Sequence, residues 1–189
     1  MRGDAPYTLT IRIALDGETI LGGIAYELYP ASRCGLVTYM VVAPAVRERG
    51  LGRRLLDEAV RALYRDGACA VFGEVNDPRV HGDAAWPRLL RFERWGARVV
   101  DVRYVQPALG DGLVRDGGLR LIALPGEMPL PESIPGDVVR GFIRELHEVT
   151  ERRPLDAEMQ TLLDGIPDAA NLVELRMVSP MHGHAHRDR

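Results

Sequence analysis

The feature that most constrains this chain is a buried strand that passes through two glycines into an amphipathic helix. The strand covers residues 36–42, and the sequence RERGLG (47–52) opens the helix. The first turn of a helix carries unpaired N–H groups and the positive end of the helix dipole. Glycines leave those N–H groups accessible to a phosphate, and arginines add positive charge. The segment therefore predicts a binding site for a pyrophosphate.

The amino-acid composition excludes several other chemistries. All 24 basic residues are arginine, so the chain has neither the lysine of a P-loop nor a lysine for Schiff-base chemistry. None of the serines lies in a G-x-S-x-G sequence, which excludes the usual nucleophile turn of hydrolases. Neither H-E-x-x-H nor C-x-x-C occurs, so we expect no metal.

Charge and hydropathy narrow the class of partner. The net charge of the 189 residues is −3, which gives no basic field for nucleic acid. No apolar run is long enough to span a membrane, so no membrane partner is expected. Two cysteines are too few for a disulfide framework, and we expect a cytoplasmic location.

Hydrophobic periodicity predicts an α/β chain around the glycine segment. Residues 7–42 alternate apolar and polar positions between short turns, which is typical of antiparallel strands. Residues 43–106 alternate between helical and strand periodicity. The predicted elements are strands at 7–14, 19–29, 36–42, 68–75, 98–105 and 119–124, and helices at 51–63 and 84–95.

The last third of the chain differs in character. A proline-rich connector precedes a helical stripe at 138–149, a second helix at 156–163 and a candidate strand at 172–178. Residues 127–175 contain 11 acidic and 4 basic residues, which fits either a solvated helix face or an acidic rim that concentrates cations. We therefore divide the chain into a core at 1–126, a helical extension packed on it at 127–179, and a disordered histidine-rich tail at 180–189.

The glycine segment and its surroundings resemble the GNAT superfamily of N-acetyltransferases. The acetyl-CoA motif of that family, Q/R-x-x-G-x-G/A after a strand, is matched by RERGLG, and LLRFERWGARVV is similar to the family's F-Y-E-R-x-G-F segment. The resemblance covers residues 7–124. It implies an α/β fold with a mixed sheet whose central strands splay apart. Relative to the family, we expect the chain to lack the usual N-terminal strand and two helices and to carry the C-terminal helical extension.

The resemblance also implies acetyl-CoA as the co-substrate. Its pantetheine arm would lie in the splay, and its pyrophosphate would lie on the glycine segment. A backbone N–H near Met40 would polarise the thioester carbonyl, and the amine of a small molecule or peptide would attack the thioester directly. The residues assigned to acetyl-CoA binding are Met40, Val41, Val42, Arg47, Glu48, Arg49, Gly50, Leu51, Gly52, Arg53, Asn76 and Phe92.

Two positions depart from the family pattern and leave the catalytic groups open. Leu36 stands where one branch of the family carries a glutamate base, and Phe92 stands where many members carry a tyrosine acid. The ammonium group of an acceptor must lose a proton before it attacks, and a carboxylate can accept that proton. The candidates are Glu27 and Glu74 as bases, Asp77 as a third base, and Tyr104 or Tyr39 as the acid.

Three alternatives accompany the enzyme hypothesis. Loss of both family catalytic positions fits an acyl-CoA-binding or regulatory protein without catalysis. The histidines His182, His184 and His186 have side chains that suit a metal, although a floppy tail is the preferred interpretation. The gap before the first strand could be filled by the C-terminal strand, lying beside the strand at 7–14, or by a partner chain, or it could reflect a truncated start of the gene; a homodimer is a further expectation.

Overall fold

A computed structural model describes residues 6–110 and 112–174. Eight strands form one open mixed sheet in the order β1-β2-β3-β4-β6-β5-β8-β7, which confirms the predicted α/β fold class. The strands are β1 (Thr8–Asp16), β2 (Thr19–Tyr29), β3 (Cys34–Val42), β4 (Ala70–Asn76), β5 (Arg98–Val100), β6 (Leu119–Ala123), β7 (Ser133–Pro135) and β8 (Ala169–Val173). The helices are α1 (Leu51–Arg65), α2 (Pro78–His81), α3 (Trp86–Arg94), α4 (Gly136–Glu151) and α5 (Ala157–Asp164).

The first three strands form two antiparallel hairpins, as the sequence predicted. β1 pairs with β2, and the tight turn between them contains Gly17 at a φ of 57°, a left-handed conformation that glycine adopts at little cost. β2 pairs in turn with β3. β1 has a strand partner on one side alone, so it forms an edge of the sheet.

The central strands β3 and β4 run parallel and soon separate. Their pairing extends from Cys34↔Ala70 to Val37↔Gly73 and stops there, while β4 continues along its other neighbour, β6. The second half of β3 therefore has β2 on one side and an opening on the other. This opening is the splay that the resemblance implied between the central strands.

Helices cover both faces of the sheet, which we call the α1 face and the α4 face. The apolar positions of α1 recur three or four residues apart and bury side chains such as Leu55 and Leu63 on the α1 face, where α3 also packs. On the opposite face, Phe142 of α4 packs against Tyr29 and Phe72, with ring centroids 5.8 and 4.7 Å apart. No helix among residues 6–110 and 112–174 is long and apolar enough to cross a membrane.

The C-terminal extension docks at the edge of the sheet opposite β1. β8 pairs with β5 through Val99↔Val173, and β7 pairs with β8. The Glu145 carboxylate of α4 accepts hydrogen bonds from the N–H groups of Ala31 and Ser32, at 2.9 and 2.7 Å. The expectation that a C-terminal strand lies beside the strand at 7–14 is therefore wrong, because β5 offers an apolar edge that β8 takes. The tail at 180–189 and residues 175–178 lie outside the described residues.

The predicted strand at 98–105 is shorter in the structure. β5 ends at Val100, and the N–H of Asp101 donates to the carbonyl of Asn171 at 2.9 Å. The chain then leaves the sheet, because Tyr104 is drawn into the apolar cluster on the α4 face. This departure brings the Tyr104 hydroxyl to the side chain of Glu74 on β4.

Candidate active site

The segment between β3 and α1 forms a cradle of backbone N–H groups, defined here as residues 47–53. Gly50 precedes α1 at a φ of 81°, a conformation that other residues rarely adopt. Among the described residues, no backbone carbonyl accepts a hydrogen bond from the N–H groups of 48–53, and the first to be paired is that of Arg54, which donates to the Gly50 carbonyl at 3.1 Å. Because these N–H groups lie at the positive end of the α1 dipole, they are available to an anion.

The arginines around the cradle are not equivalent. Arg47 is exposed, and its guanidinium donates to the carbonyl of Val42 at 3.2 Å. The guanidinium of Arg53 is instead held by Asp57 at 2.8 Å and by the carbonyl of Trp95 at 2.8 Å. Arg53 therefore contributes its backbone N–H to the cradle, whereas its guanidinium is bound to Asp57 and Trp95. The other exposed arginines nearby are Arg49 and Arg54.

The second glycine of the motif has a different function from the first. A Cβ atom at Gly52 would lie 3.5 Å from the Val42 side chain, 3.6 Å from Trp95 and 4.0 Å from Met40, all ordinary contact distances. Gly52 thus marks where α1 packs closely on β3 and α3. Gly50, by contrast, is required by its backbone conformation.

A β-bulge at Thr38 shifts the alternation of side chains along β3 between the two faces of the sheet. Thr38 is the extra residue between the pairs Tyr26↔Val37 and Ala25↔Tyr39, and its hydroxyl donates to the Ala25 carbonyl at 3.2 Å. Backbone groups of antiparallel strands point alternately toward and away from the partner strand. Since β4 has separated from β3 here, those groups of 38–42 that point away from β2 have no strand partner within the described part of the chain.

A narrow groove opens at the splay and brings together residues from four elements. Met40 of β3, Glu74 of β4 and Phe92 of α3 all line it, and β6 contributes Ile122. Phe92 is buried and packs edge-on against Trp95, with ring centroids 5.5 Å apart. The groove adjoins the cradle, because the Met40 side chain ends 4.0 Å from where a Cβ atom on Gly52 would lie.

The carboxylate of Glu74 is held in a fixed orientation beside the groove. It accepts a hydrogen bond from the hydroxyl of Tyr104 and a second, at 2.8 Å, from the side-chain amide of Gln106. Burial raises the pKa of Glu74, the two hydrogen bonds oppose that shift, and the charge of Glu27 adds to it. Burial and the charge of Glu74 also raise the pKa of Tyr104 well above its usual value. The tyrosine is therefore a hydrogen-bond donor with a firmly held proton.

Glu27 is a second, half-buried carboxylate on the same face. It lies near the end of β2 and accepts a hydrogen bond of 2.6 Å from the hydroxyl of Tyr29. Burial raises the pKa of Glu27, and the hydrogen bond from Tyr29 opposes that shift. The charge of Glu27 adds to the rise in the pKa of Glu74, so the two carboxylates influence each other electrostatically.

The structure separates the other predicted residues from this cluster. Asn76 is exposed at the end of β4 and pairs with Leu119. Asp77 is buried in an ion pair of 2.7 Å with Arg120 and accepts from the N–H of Arg79 at the start of α2. These bonds give Asp77 a structural role, away from the groove. Of the remaining predicted residues, Val41 and Val42 lie at the end of β3, Glu48 lies in the loop before α1, and Leu51 is the first residue of α1.

Sequence reasoning missed three features of the site. Gln106 binds Glu74 from an irregular segment, where no hydrophobic periodicity could have indicated it. The bulge at Thr38 interrupts the alternation of β3, which a count of apolar residues does not detect. Arg88 lines the groove from α3, where an exposed arginine in a helix has no distinctive sequence signal.

A protein-family model matches the part of the chain that contains the cradle and Glu74. The model of the acetyltransferase (GNAT) family matches residues 2–87, which include the first three strands, the cradle, α1 and β4. Residues 2–87 are therefore similar to a GNAT acetyltransferase domain. The GNAT match thus covers the cradle and Glu74, while the extension from residue 127 lies beyond it. No curated protein sequence matches the chain significantly.

Several solved structures are similar to parts of this chain. A protein assigned to the GNAT family from Desulfovibrio desulfuricans is 25% identical, with a TM-score of 0.46 over 61% of this chain and 67% of that chain. Nourseothricin acetyltransferase is 23% identical, with a TM-score of 0.47 over 66% of this chain and 68% of that chain. The PaiA N-acetyltransferase from Thermoplasma acidophilum, solved with coenzyme A, is 15% identical, with a TM-score of 0.47 over 61% of this chain and 60% of that chain.

The histidine-rich tail lies outside the described residues, so its metal-binding alternative is not addressed by the structure. Within residues 6–110 and 112–174, no group of three or more His, Cys, Asp or Glu side chains is arranged to hold a metal ion. Of the two cysteines, Cys34 is buried, and burial raises the pKa of its thiol. A thiol with a raised pKa is a poor nucleophile at neutral pH.

Proposed function

We propose that this protein transfers an acetyl group from acetyl-CoA to a primary amine of a small molecule or peptide, by direct attack of the amine in a ternary complex. One observation carries the proposal: the cradle of unpaired N–H groups and the hydrogen-bonded carboxylate of Glu74 both adjoin the groove between β3 and β4. An anion-binding end and a proton-accepting group along one groove are the two requirements of this reaction.

The residues present fit acetyl-CoA. Its diphosphate requires hydrogen-bond donors and positive charge, which the N–H groups of 48–53 and the exposed Arg47 would supply. Its amide-containing arm requires N–H and C=O partners, which the open edge of β3 beyond Val37 would supply. Met40 and Phe92 would add apolar contacts in the groove. Bound there, acetyl-CoA supplies the activated acyl group.

Glu74 is the proposed general base. An amine attacks only as the free base, so its ammonium form must first lose a proton. The proton would move from the acceptor nitrogen to the Glu74 carboxylate, directly or through one water. A raised pKa makes Glu74 a stronger base than an exposed carboxylate. Because Tyr104 and Gln106 both bind this carboxylate, the unused lone pairs of Glu74 keep one orientation.

Tyr104 is proposed to position Glu74. Its hydroxyl is already engaged with the carboxylate, and burial keeps its proton in place. The hypothesis that Tyr104 protonates the leaving thiolate stays a prediction, and its hydrogen bond favours the positioning role. The thiolate of coenzyme A is also a weak enough base to leave without a dedicated acid.

The acceptor is proposed to be cationic. Glu27 and Glu74 lie on one face of the sheet with no arginine hydrogen-bonded to either carboxylate among the described residues. Two such carboxylates favour an ammonium group, and the acidic extension at 127–175 would raise the local concentration of cations. A cytoplasmic location, where both substrates would be available, forms part of the same proposal.

The second candidate is a protein that binds acyl-CoA without catalysis. Two residues favour it, because Leu36 and Phe92 stand at positions where catalytic groups occur in the resembling family. The test combines calorimetry of coenzyme A binding with release of free thiol from acetyl-CoA over a panel of polyamines, aminoglycosides, amino acids and peptide N-termini.

The two measurements separate the candidates. Binding of coenzyme A together with amine-dependent thiol release would support the acetyltransferase. Binding without release over the whole panel would favour the non-catalytic candidate. If coenzyme A does not bind, the assignment of the cradle is wrong and both candidates fail.

A further inference from the structure

The α4 face of β1, β2 and β3 carries an exposed apolar surface that extends well beyond the groove. It consists of seven large side chains, each between 51% and 73% exposed, which we call the β1–β3 patch: Leu9, Ile11, Ile13, Leu15, Ile20, Tyr39 and Val41. The helices α4 and α5 cover the part of this face near Tyr29 and Phe72 and leave the patch bare. Scattered exposed apolar residues are normal, but a contiguous group is typical of an interface.

The strand register places two ridges and a trough between them in the β1–β3 patch. Ile13, Gly23 and Val41 lie in one row across the three strands, and Ile11, Ala25 and Tyr39 lie in the next row. Large side chains therefore stand on β1 and β3, with a trough between them whose floor is Gly23 and Ala25. The trough is visible as a depression lined by these same residues.

We propose that two copies of this chain pack through their β1–β3 patches. In a twofold arrangement, the β1 ridge of one copy enters the trough of the other, and the reverse contact is identical. Sheets that pack face to face interdigitate their side chains in this way. The proposal does not depend on the proposed acetyl transfer.

The size of the patch agrees with such an interface. Seven side chains that each lose about 90 Å² on burial amount to roughly 600 Å² per copy. A standard protein interface buries about 800 Å² per partner, and the surrounding backbone and polar rim supply the remainder. The patch contains no charged side chain, as expected for the core of an interface.

Segments of this chain outside the described residues are weaker candidates for covering the patch. Residues 1–5 are MRGDA, and residues 175–189 are LRMVSPMHGHAHRDR, with a polar second half. Neither holds a run of large apolar side chains that matches seven exposed ones. The described chain also ends at residue 174, beside β8, at the sheet edge opposite β1.

The proposed interface would adjoin the groove. Tyr39 belongs both to the β1–β3 patch and to the lining of the groove. The partner's surface would therefore form one wall beside the entrance to the acceptor site. This continuity gives the dimer a second expected consequence, a change in acceptor KM when the interface is disrupted.

The test is the mass of the protein in solution. Light scattering after gel filtration, over a wide concentration range, should give twice the chain mass of 20.9 kDa. Ile11→Glu places a charge in the trough of each copy and should weaken the dimer at least about 100-fold. Val114→Glu, at a residue 85% exposed and outside the patch, is the matched control and should leave the dimer intact.

Every outcome bears on the proposal. A wild-type mass of 20.9 kDa at all concentrations overturns it, as does a dimer that survives Ile11→Glu. If Ile11→Glu does not fold, Val41→Thr, which keeps the side-chain shape, should still weaken association, and unchanged association overturns the proposal. Sedimentation of a monomeric wild type with phosphatidylcholine–phosphatidylglycerol vesicles would assign the patch to a membrane instead.

Discussion

Tyr104 and Glu74 lie 30 residues apart in the chain, and the Tyr104 hydroxyl donates a hydrogen bond to the Glu74 carboxylate. Glu74 belongs to β4, whereas Tyr104 follows β5, from which β4 is separated by β6. The contact exists because the chain leaves the sheet at Val100 and crosses the α4 face. It holds a buried carboxylate in one orientation beside the groove.

The first prediction concerns Glu74→Gln. The substitution keeps the size of the side chain and removes the proton acceptor, so kcat should fall about 100-fold or more. The affinity for coenzyme A should stay within a factor of about two, because the cradle is unchanged. Steady-state kinetics and calorimetry measure the two effects. Equal losses in kcat and in the affinity for coenzyme A would indicate a structural role for Glu74. An unchanged kcat would exclude Glu74 as the base.

The second prediction concerns the pH dependence. A general base is active when deprotonated, so activity should rise as pH increases through the pKa of Glu74, which burial raises. Tyr104→Phe removes a hydrogen bond that lowers this pKa. The acid limb of the kcat profile should therefore move to higher pH in the variant. A limb that moves to lower pH, or stays in place, would contradict the positioning role of Tyr104.

The third prediction concerns the charge at the cradle. Arg47→Glu replaces an exposed cation beside the unpaired N–H groups with an anion, and the affinity for coenzyme A should fall at least about 10-fold. Arg61→Glu makes the same charge change further along α1, where the side chain is exposed and contacts the Asp57 carbonyl. Calorimetry should detect little change for this control. Equal losses for both variants would indicate a general charge effect.

The fourth prediction distinguishes the two glycines of the motif. Gly50→Ala forces a side chain into a left-handed conformation at a φ of 81°, which should cost about 1–2 kcal/mol and disturb the cradle. Gly52→Ala places a methyl group at ordinary contact distances, of 3.5 Å or more, and should change stability by less than about 0.5 kcal/mol. Chemical denaturation measures both. A larger loss of stability for Gly52→Ala than for Gly50→Ala would contradict the assignment of the backbone requirement to Gly50.

The fifth prediction concerns the stability of the extension. Arg115 binds Glu151 through two bonds of 2.7 Å and holds the pKa of that carboxyl at about 2, below its usual 4.5. The ion pair therefore stabilises the fold above pH 4.5, and this stability is lost as pH falls toward 2. Arg115→Met should cost about 2–3 kcal/mol at neutral pH and flatten this acid dependence.

Arg153→Met is the matched control for the same carboxylate. Arg153 also binds Glu151, at 2.8 Å, but its side chain is 57% exposed, compared with 15% for Arg115. Exposed ion pairs contribute little, so the loss should stay below about 1 kcal/mol. Urea denaturation at neutral and acid pH compares the two variants. Similar losses would show that burial does not distinguish these arginines.

Features that depend on neighbouring residues could be predicted from the amino-acid sequence. Alternation and tight turns gave β1, β2 and β3, and the glycines with their arginines gave the cradle, because strand pattern, helix dipole and backbone conformation are local properties. Glu74 was among the candidate bases because it lies on the strand that follows α1. These predictions required no knowledge of the distant parts of the chain.

Contacts between distant parts of the chain could be seen in the folded molecule alone. The tertiary structure placed β8 beside β5 rather than β1, and it ended β5 early so that Tyr104 reaches Glu74. It also left the β1–β3 patch uncovered. Which edge a strand takes, and where a chain leaves a sheet, depend on the apolar area buried by the whole assembly of elements. That balance of burial is a property of the packed molecule, and no local stretch of sequence contains it.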